Sequence, residues 1–293
     1  MNTGRMLVTA LVLVLSGTLC AQTVSRGTRK PAATTPAPRD ASGRAVLGSV
    51  PGQVGSWEGF GTRPMLTIFD VEPKGSIISS TPLKEVLRTP GNFPKINYSE
   101  VPFQPWAKAL FEARSRTRFE PYTRCKPSAG PREVATAYGT QFVEFPDMQK
   151  IYVFPTGGPR HYREIWMDGR GHPATLKPSY HGHSIDHWEG DTLVVDSVGF
   201  NEKMWMDAEG SPHTPLLHLV EKFTRMSLEQ LKYEVTIDDP GAYTKPWSSG
   251  FFMSWTPGET PQFVCQDNLL SYDLMTGTKY ESMDRLSSQP TFP

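Results

Sequence analysis

Apolar and polar residues alternate with a period of two through much of the second half of the chain. In 231–238, Leu231, Tyr233, Val235 and Ile237 fall on one face, and Lys232, Glu234, Thr236 and Asp238 fall on the other. That alternation predicts a strand with one buried face. The same period, or a short apolar run between turn residues, predicts strands at 140–145, 150–154, 161–167, 184–188, 192–198, 216–225, 250–255 and 262–265. A weaker signal predicts one more at 65–71. Glu189-Gly190-Asp191 is a tight reversal between two of the strands. The helical period is clear at 105–116, where Pro105 suits a first helical position and Trp106, Ala109, Leu110 and Ala113 share a face.

Successive strands joined by short turns, with no helices between them, pair with their chain neighbours. The expected fold class is therefore mainly β: an antiparallel meander closing into a barrel or sandwich, with one short helix on its N-terminal side. Closure would remove the exposed edges of such a sheet. With 25 Gly and 27 Pro in 293 residues, the composition supplies the turns that this architecture needs.

The first 55 residues lack the alternation. Arg5 precedes an apolar run over 6–15 broken only by Thr9, and small residues lead to Cys20 and Ala21. A charged start, a short apolar run and small residues predict a secretory signal over 1–21, cleaved after Ala21. The run is too short to span a bilayer, so no transmembrane segment is expected. Cys20 raises lipid anchoring as an alternative, which the bulky Leu19 before it disfavours. Residues 22–55 hold few large apolar groups and set Arg26, Arg29, Lys30, Arg39 and Arg44 against Asp40 alone. They are read as a disordered linker, with 56–293 as a single β-rich domain. Export to the periplasm or beyond would leave Cys125 and Cys265 in an oxidising compartment, where they are expected to pair.

Thirty basic and thirty acidic residues cancel. Neutrality argues against a nucleic-acid partner and against general attraction to anionic surfaces. The expected partner is a small-molecule ligand or substrate; nothing in the pattern specifies an oligomeric state.

Histidine carries the chemistry. All seven histidines fall between His161 and His218: His161, His172, His181, His183, His187, His213 and His218. Imidazole suits proton transfer near neutral pH and is the commonest metal ligand. If 184–188 is extended, His183 and His187 share a face. In 216–225, His218 lies with Leu216 and Val220, an apolar stripe that reads as core-facing, and Glu221 lies opposite. The candidate base is His183, with Asp196 or His213 as partner. Tyr180 or Ser184 would orient the substrate, and His218 and Trp188 would line its site. His183 and His213 are expected to face one pocket at the barrel mouth. No cofactor is expected beyond a divalent metal, for which His181, His183 and His187 form the alternative ligand set. His181-Gly-His183-Ser-Ile-Asp186-His187 is similar to the H-x-H-x-D-H signature of metallo-β-lactamase-like hydrolases. It carries one residue too many before the aspartate and runs into a hairpin instead of a helix.

The segment Gly182-His-Ser-Ile-Asp-His-Trp-Glu-Gly-Asp-Thr-Leu-Val-Val-Asp196, with Gly199-Phe-Asn201, resembles an uncharacterised family of exported bacterial proteins. Pro212-His-Thr214, 217–223 and Val235-Thr-Ile-Asp-Asp-Pro240 with Tyr243-Thr-Lys-Pro-Trp247 look like the same family. The resemblance covers about 100–275 and implies export, with no assigned activity. The meandering strands also look like the calycin barrels, lipocalins and their relatives, which implies an inner cavity for a small ligand. The expected function is an exported enzyme acting on a small organic or sugar-derived substrate by His-assisted acid–base chemistry, of lyase, isomerase or hydrolase type. The alternatives are a non-catalytic ligand-binding β-barrel and a His-ligated metal site.

Overall fold

The computed structural model describes residues 35–58, 98–99, 101–117, 120–136, 138–260 and 262–265. These lie in one unit, Thr34–Pro293. Nine strands form a closed barrel in chain order: β1 (Gly55–Glu58), β2 (Thr140–Phe145), β3 (Lys150–Pro155), β4 (Arg163–Trp166), β5 (His183–Glu189), β6 (Thr192–Val198), β7 (His218–Arg225), β8 (Gln230–Asp238) and β9 (Trp247–Pro257). Helix α1 spans Pro105–Thr117, and a single-turn helix α2 spans Pro131–Val134. The fold class read from the alternation is the one observed, and β2 and β6 have the predicted bounds.

Two pairings depart from a simple meander. β4 and β5 run parallel, with Ile165 opposite Ser184, so the chain must return along residues 167–182 before β5 begins. β1, which the alternation did not predict, closes the ring: it pairs with β9 along its length and with β2 through Trp57 opposite Thr140. Residues 262–265 are not a strand, and 65–71 lies outside the described residues.

Inward side chains fill the lumen. Phe142, Phe223, Tyr233 and Phe251 pack in sequence, with neighbouring ring centroids 5.0–5.1 Å apart. The inner cavity implied by the calycin likeness is taken up by these rings and the charged side chains described below. On β7 the facing is the reverse of the expectation: Leu219, Glu221, Phe223 and Arg225 are buried, while His218 points outward. The alternation was correct, but polarity misled the choice of face because a buried arginine compensates Glu221. Helix α1 likewise turns Ala107 and Phe111 inward and leaves Trp106 46% exposed, its indole donating to Gly241 O at 2.9 Å.

Residues 35–55 are not a linker. Leu47 is fully buried, and its carbonyl accepts from the Trp57 indole N–H at 2.7 Å. Arg225 donates to the carbonyls of Val46 and Gly48, Arg44 pairs with Glu144 at 2.9 Å, and Arg39 forms two 2.7 Å bonds to Asp191. Average composition hid this strap, because one buried leucine and a few hydrogen-bonded backbone groups suffice to dock an otherwise polar segment. A disulfide joins Cys125 to Cys265 across a sequence separation of 140. On the chain-entropy model, a link closing so long a loop stabilises by about 4–5 kcal/mol. It fixes the end of the described chain beside the 3₁₀ turn Pro121–Arg124.

Candidate functional site

The charged interior is built from five strands and α2. Arg163 on β4 is 1% exposed, yet its guanidinium projects into the barrel. It donates to Ser184 Oγ of β5 at 3.0 Å, to Ser197 Oγ of β6 at 2.7 Å, and to Glu221 of β7. Tyr233 of β8 donates to the other Glu221 oxygen at 2.9 Å. A buried charge pair needs such additional hydrogen bonds to offset its desolvation. The pair therefore anchors one end of the lumen.

Above it sits Glu133, fully buried on α2. The local sequence explains its placement. Gly130 has φ +53°, and a Cβ there would lie 2.8 Å from Leu219 Cδ1, so only glycine admits this turn. Pro131 then starts the helical turn. Arg132 secures it through a two-bond pair with Glu120 at 2.9 and 3.0 Å and a bond to Ala135 O.

Two histidines close on Glu133 from different loops. Glu133 Oε1 lies 3.7 Å from His181 Nδ1 and 3.9 Å from His161 Nε2, while its Oε2 faces Arg163 NH1 at 3.8 Å. The two imidazoles stack with centroids 4.9 Å apart. His161 Nδ1 lies 2.6 Å from Pro159 O, which makes Nδ1 the protonated nitrogen and leaves Nε2 as a lone pair facing the carboxyl. Both Glu133 oxygens, His161 Nε2, both His181 nitrogens and Arg163 NH1 are buried without a hydrogen-bond partner. Native interiors rarely leave so many polar atoms unsatisfied in one place.

Burial sets their protonation. It raises the Glu133 carboxyl to about 8, with Arg163 opposing and Glu221 adding to the rise. It lowers His181 to about 3, helped by His161 and Arg163, and it lowers His161 as well. At neutral pH the group is thus a carboxylic acid beside two neutral imidazoles. A cavity of about 860 Å³ opens at His161, lined by Phe154, Arg160, Tyr162, Gln141 and Phe263 among others. Phe263 lies two residues before the disulfide, which thereby holds one wall of the cavity.

The residues favoured from sequence divide between other places. His183 lies on the outer face of β5, Nδ1 to Nδ1 with His172 at 2.8 Å. Asp196 Oδ1, on the outer face of β6, accepts from His172 Nε2 at 3.0 Å and from His218 Nε2 at 2.9 Å. His183 thus reaches Asp196 through His172. Ser184, one residue on, points inward to Arg163, so it cannot orient anything at His183. His213 does not join His183: it is buried against Phe200, with Nδ1 3.2 Å from Thr214 O. Trp188 packs on the core beneath the Arg44 guanidinium, and Tyr180 also packs against the core.

The alternative metal set separates as well. Gly182, at φ +65° and with no room for a Cβ against Val198 O, turns the chain between His181 and His183. His181 enters the interior, while His183 and His187 remain on the outer face, His187 3.3 Å from Glu189. Among the described residues, the group able to hold an ion is Glu133, His161 and His181. Sequence reasoning missed Glu133 entirely. The signal available was Gly-Pro-Arg-Glu, a glycine–proline turn delivering a carboxylate into an otherwise apolar stretch.

Compared with known protein families, with curated proteins and with solved structures, the chain matches none.

Proposed function

We propose that the protein is an exported enzyme acting on a small organic substrate, with proton transfer carried at Glu133, His161 and His181. The observation that supports it is the convergence of unpartnered buried polar atoms from β4, α2 and two loops beside a cavity of about 860 Å³. Leaving such atoms unpaired costs stability, a cost typical of sites kept for chemistry. The cavity walls offer aromatic rings, the two amides of Gln141 and Gln262, and the Arg160 guanidinium, a lining suited to a planar or sugar-like molecule with an anionic group. Barrels of the calycin type hold ligands in comparable mouths; here the site lies at the end of a filled lumen. The signal-like residues 1–21 and the Cys125–Cys265 disulfide support export into an oxidising compartment.

The test is to incubate the mature protein in D₂O with pools of small hydroxy acids, keto acids and sugar derivatives, following substrate protons by NMR. Wild type is expected to exchange or eliminate protons in at least one pool. His181→Ala and Glu133→Gln are expected to lose that activity, and His187→Ala, on the exposed outer face, is expected to keep it. Turnover that survives in both site variants would refute the assignment.

A further inference from the structure

The distances within the inner group are too long for hydrogen bonds and close to those between ligands of a shared ion. Two atoms bound about 2.0–2.2 Å from one ion, at an angle between tetrahedral and trigonal, lie about 3.3–3.8 Å apart. Glu133 Oε1 lies 3.7 and 3.9 Å from the nearest nitrogens of His181 and His161. All three ligand atoms fall within 4.8 Å of one another. We propose that Glu133 Oε1, His161 Nε2 and His181 Nδ1 bind one divalent first-row transition ion, leaving an open coordination position.

The donor set fixes the class of ion. Two imidazoles and one carboxylate suit zinc, iron(II), cobalt or manganese, whereas calcium and magnesium take oxygen ligands. Three protein ligands with a vacant position are the arrangement of catalytic sites; structural zinc sites are closed by four. The surroundings are those of a supported site. The His161 Nδ1–H donates to Pro159 O, fixing the ring so that Nε2 faces the ion. The carboxyl divides its oxygens, Oε1 toward the imidazoles and Oε2 toward Arg163 NH1 at 3.8 Å. Arg163 is itself held by Glu221, Ser184 and Ser197, so the cation that faces Oε2 is fixed in place. Imidazoles from 161 and 181 reach the ion only because the parallel β4–β5 step sends the chain out after Trp166 and back to Gly182.

This inference rests on the proposed location of the active site. It changes what carries the proton there: a bound ion lowers the pKa of its water toward neutrality, so the water replaces Glu133 as the acid–base group.

Binding is tested without any substrate. The mature full chain, stripped with chelator, is titrated with Zn²⁺ by calorimetry and with Co²⁺ by visible absorption. One ion per chain is expected, with the stronger Co²⁺ bands of a four- or five-coordinate site. His161→Ala and His181→Ala are each expected to weaken binding roughly 100-fold or more, and His181→Gln serves if the alanine variant fails to fold. His172→Ala, which breaks the outer histidine cluster, is expected to bind like wild type. No binding by wild type would overturn the proposal, and so would binding that persists in the site variants or disappears in His172→Ala. Should ion binding fail while turnover still requires Glu133 and His181, the metal falls and the acid–base site stands. Ion binding with no turnover in any pool would do the reverse.

Discussion

Two histidine–carboxylate groups flank the same sheet, and they have settled into opposite states. On the outer face, Asp196 accepts from both His172 and His218, and His172 in turn meets His183. His172 and His218 each donate Nε2–H to Asp196, and His183 donates Nδ1–H to the lone pair left on His172. None of those side-chain atoms is buried without a partner. Inside, Glu133, His161 and His181 have the same chemistry and no such satisfaction. The outer group can exchange partners with water at little cost, so its hydrogen bonds are local conveniences. The inner group is largely shielded from bulk water, and its buried atoms find no partner within the protein. Residue type and clustering are the same in both; desolvation separates them.

The sharpest way to break the contrast is through the anchor beneath the inner group. Arg163→Met removes the partner of fully buried Glu221 and two serine hydrogen bonds. We expect a loss of about 3–5 kcal/mol, read from chemical denaturation, because an uncompensated buried charge remains. A loss below 1 kcal/mol would mean that the interior is wetter than its burial indicates.

A second test uses pH on the metal-free protein. Glu133 rises from 4.5 to about 8 on folding, so the folded state holds more protons and loses stability as pH climbs through that interval. His181 falls from 6.5 to about 3, so its contribution is complete above 6.5 and is lost as pH falls toward 3. The two slopes oppose between pH 4.5 and 6.5, leaving Glu133 alone to act from 6.5 to 8. There, wild type is expected to lose up to about 1.4 kcal/mol per pH unit relative to Glu133→Gln. Parallel curves for the two proteins would place Glu133 in contact with water.

The smallest effect belongs outside. His218→Ala removes one of the two bonds to Asp196 on a partly exposed surface. We expect a change of only about 0.2–1 kcal/mol in thermal or denaturant unfolding. A larger loss would show the outer group to be a structural clasp, and the contrast with the interior would weaken.

The sequence by itself determined the class of fold. Period-two alternation over 231–238 and its neighbours, punctuated by Glu189-Gly-Asp191, specified strands, their order and which residues of a strand share a face. These are local properties, written in spacing. It also determined that Cys125 and Cys265 were the pair available for a disulfide, and that histidine marked the chemistry. Only tertiary structure decided which face is inside. Glu221 and Arg163 look like surface residues one at a time, and they become core residues only because β4 and β7 bring opposite charges together across the lumen. Only tertiary structure docked residues 35–55, through contacts between Arg225, Glu144 and a strap nearly a hundred residues or more away in the chain. It also separated His181 from His183: the positive φ of Gly182 and the parallel β4–β5 step send neighbouring imidazoles to opposite sides of the barrel wall. The site joins Glu133 to His161 and His181 across gaps that no period spans, because loop closure and burial, not spacing, bring them within 4 Å.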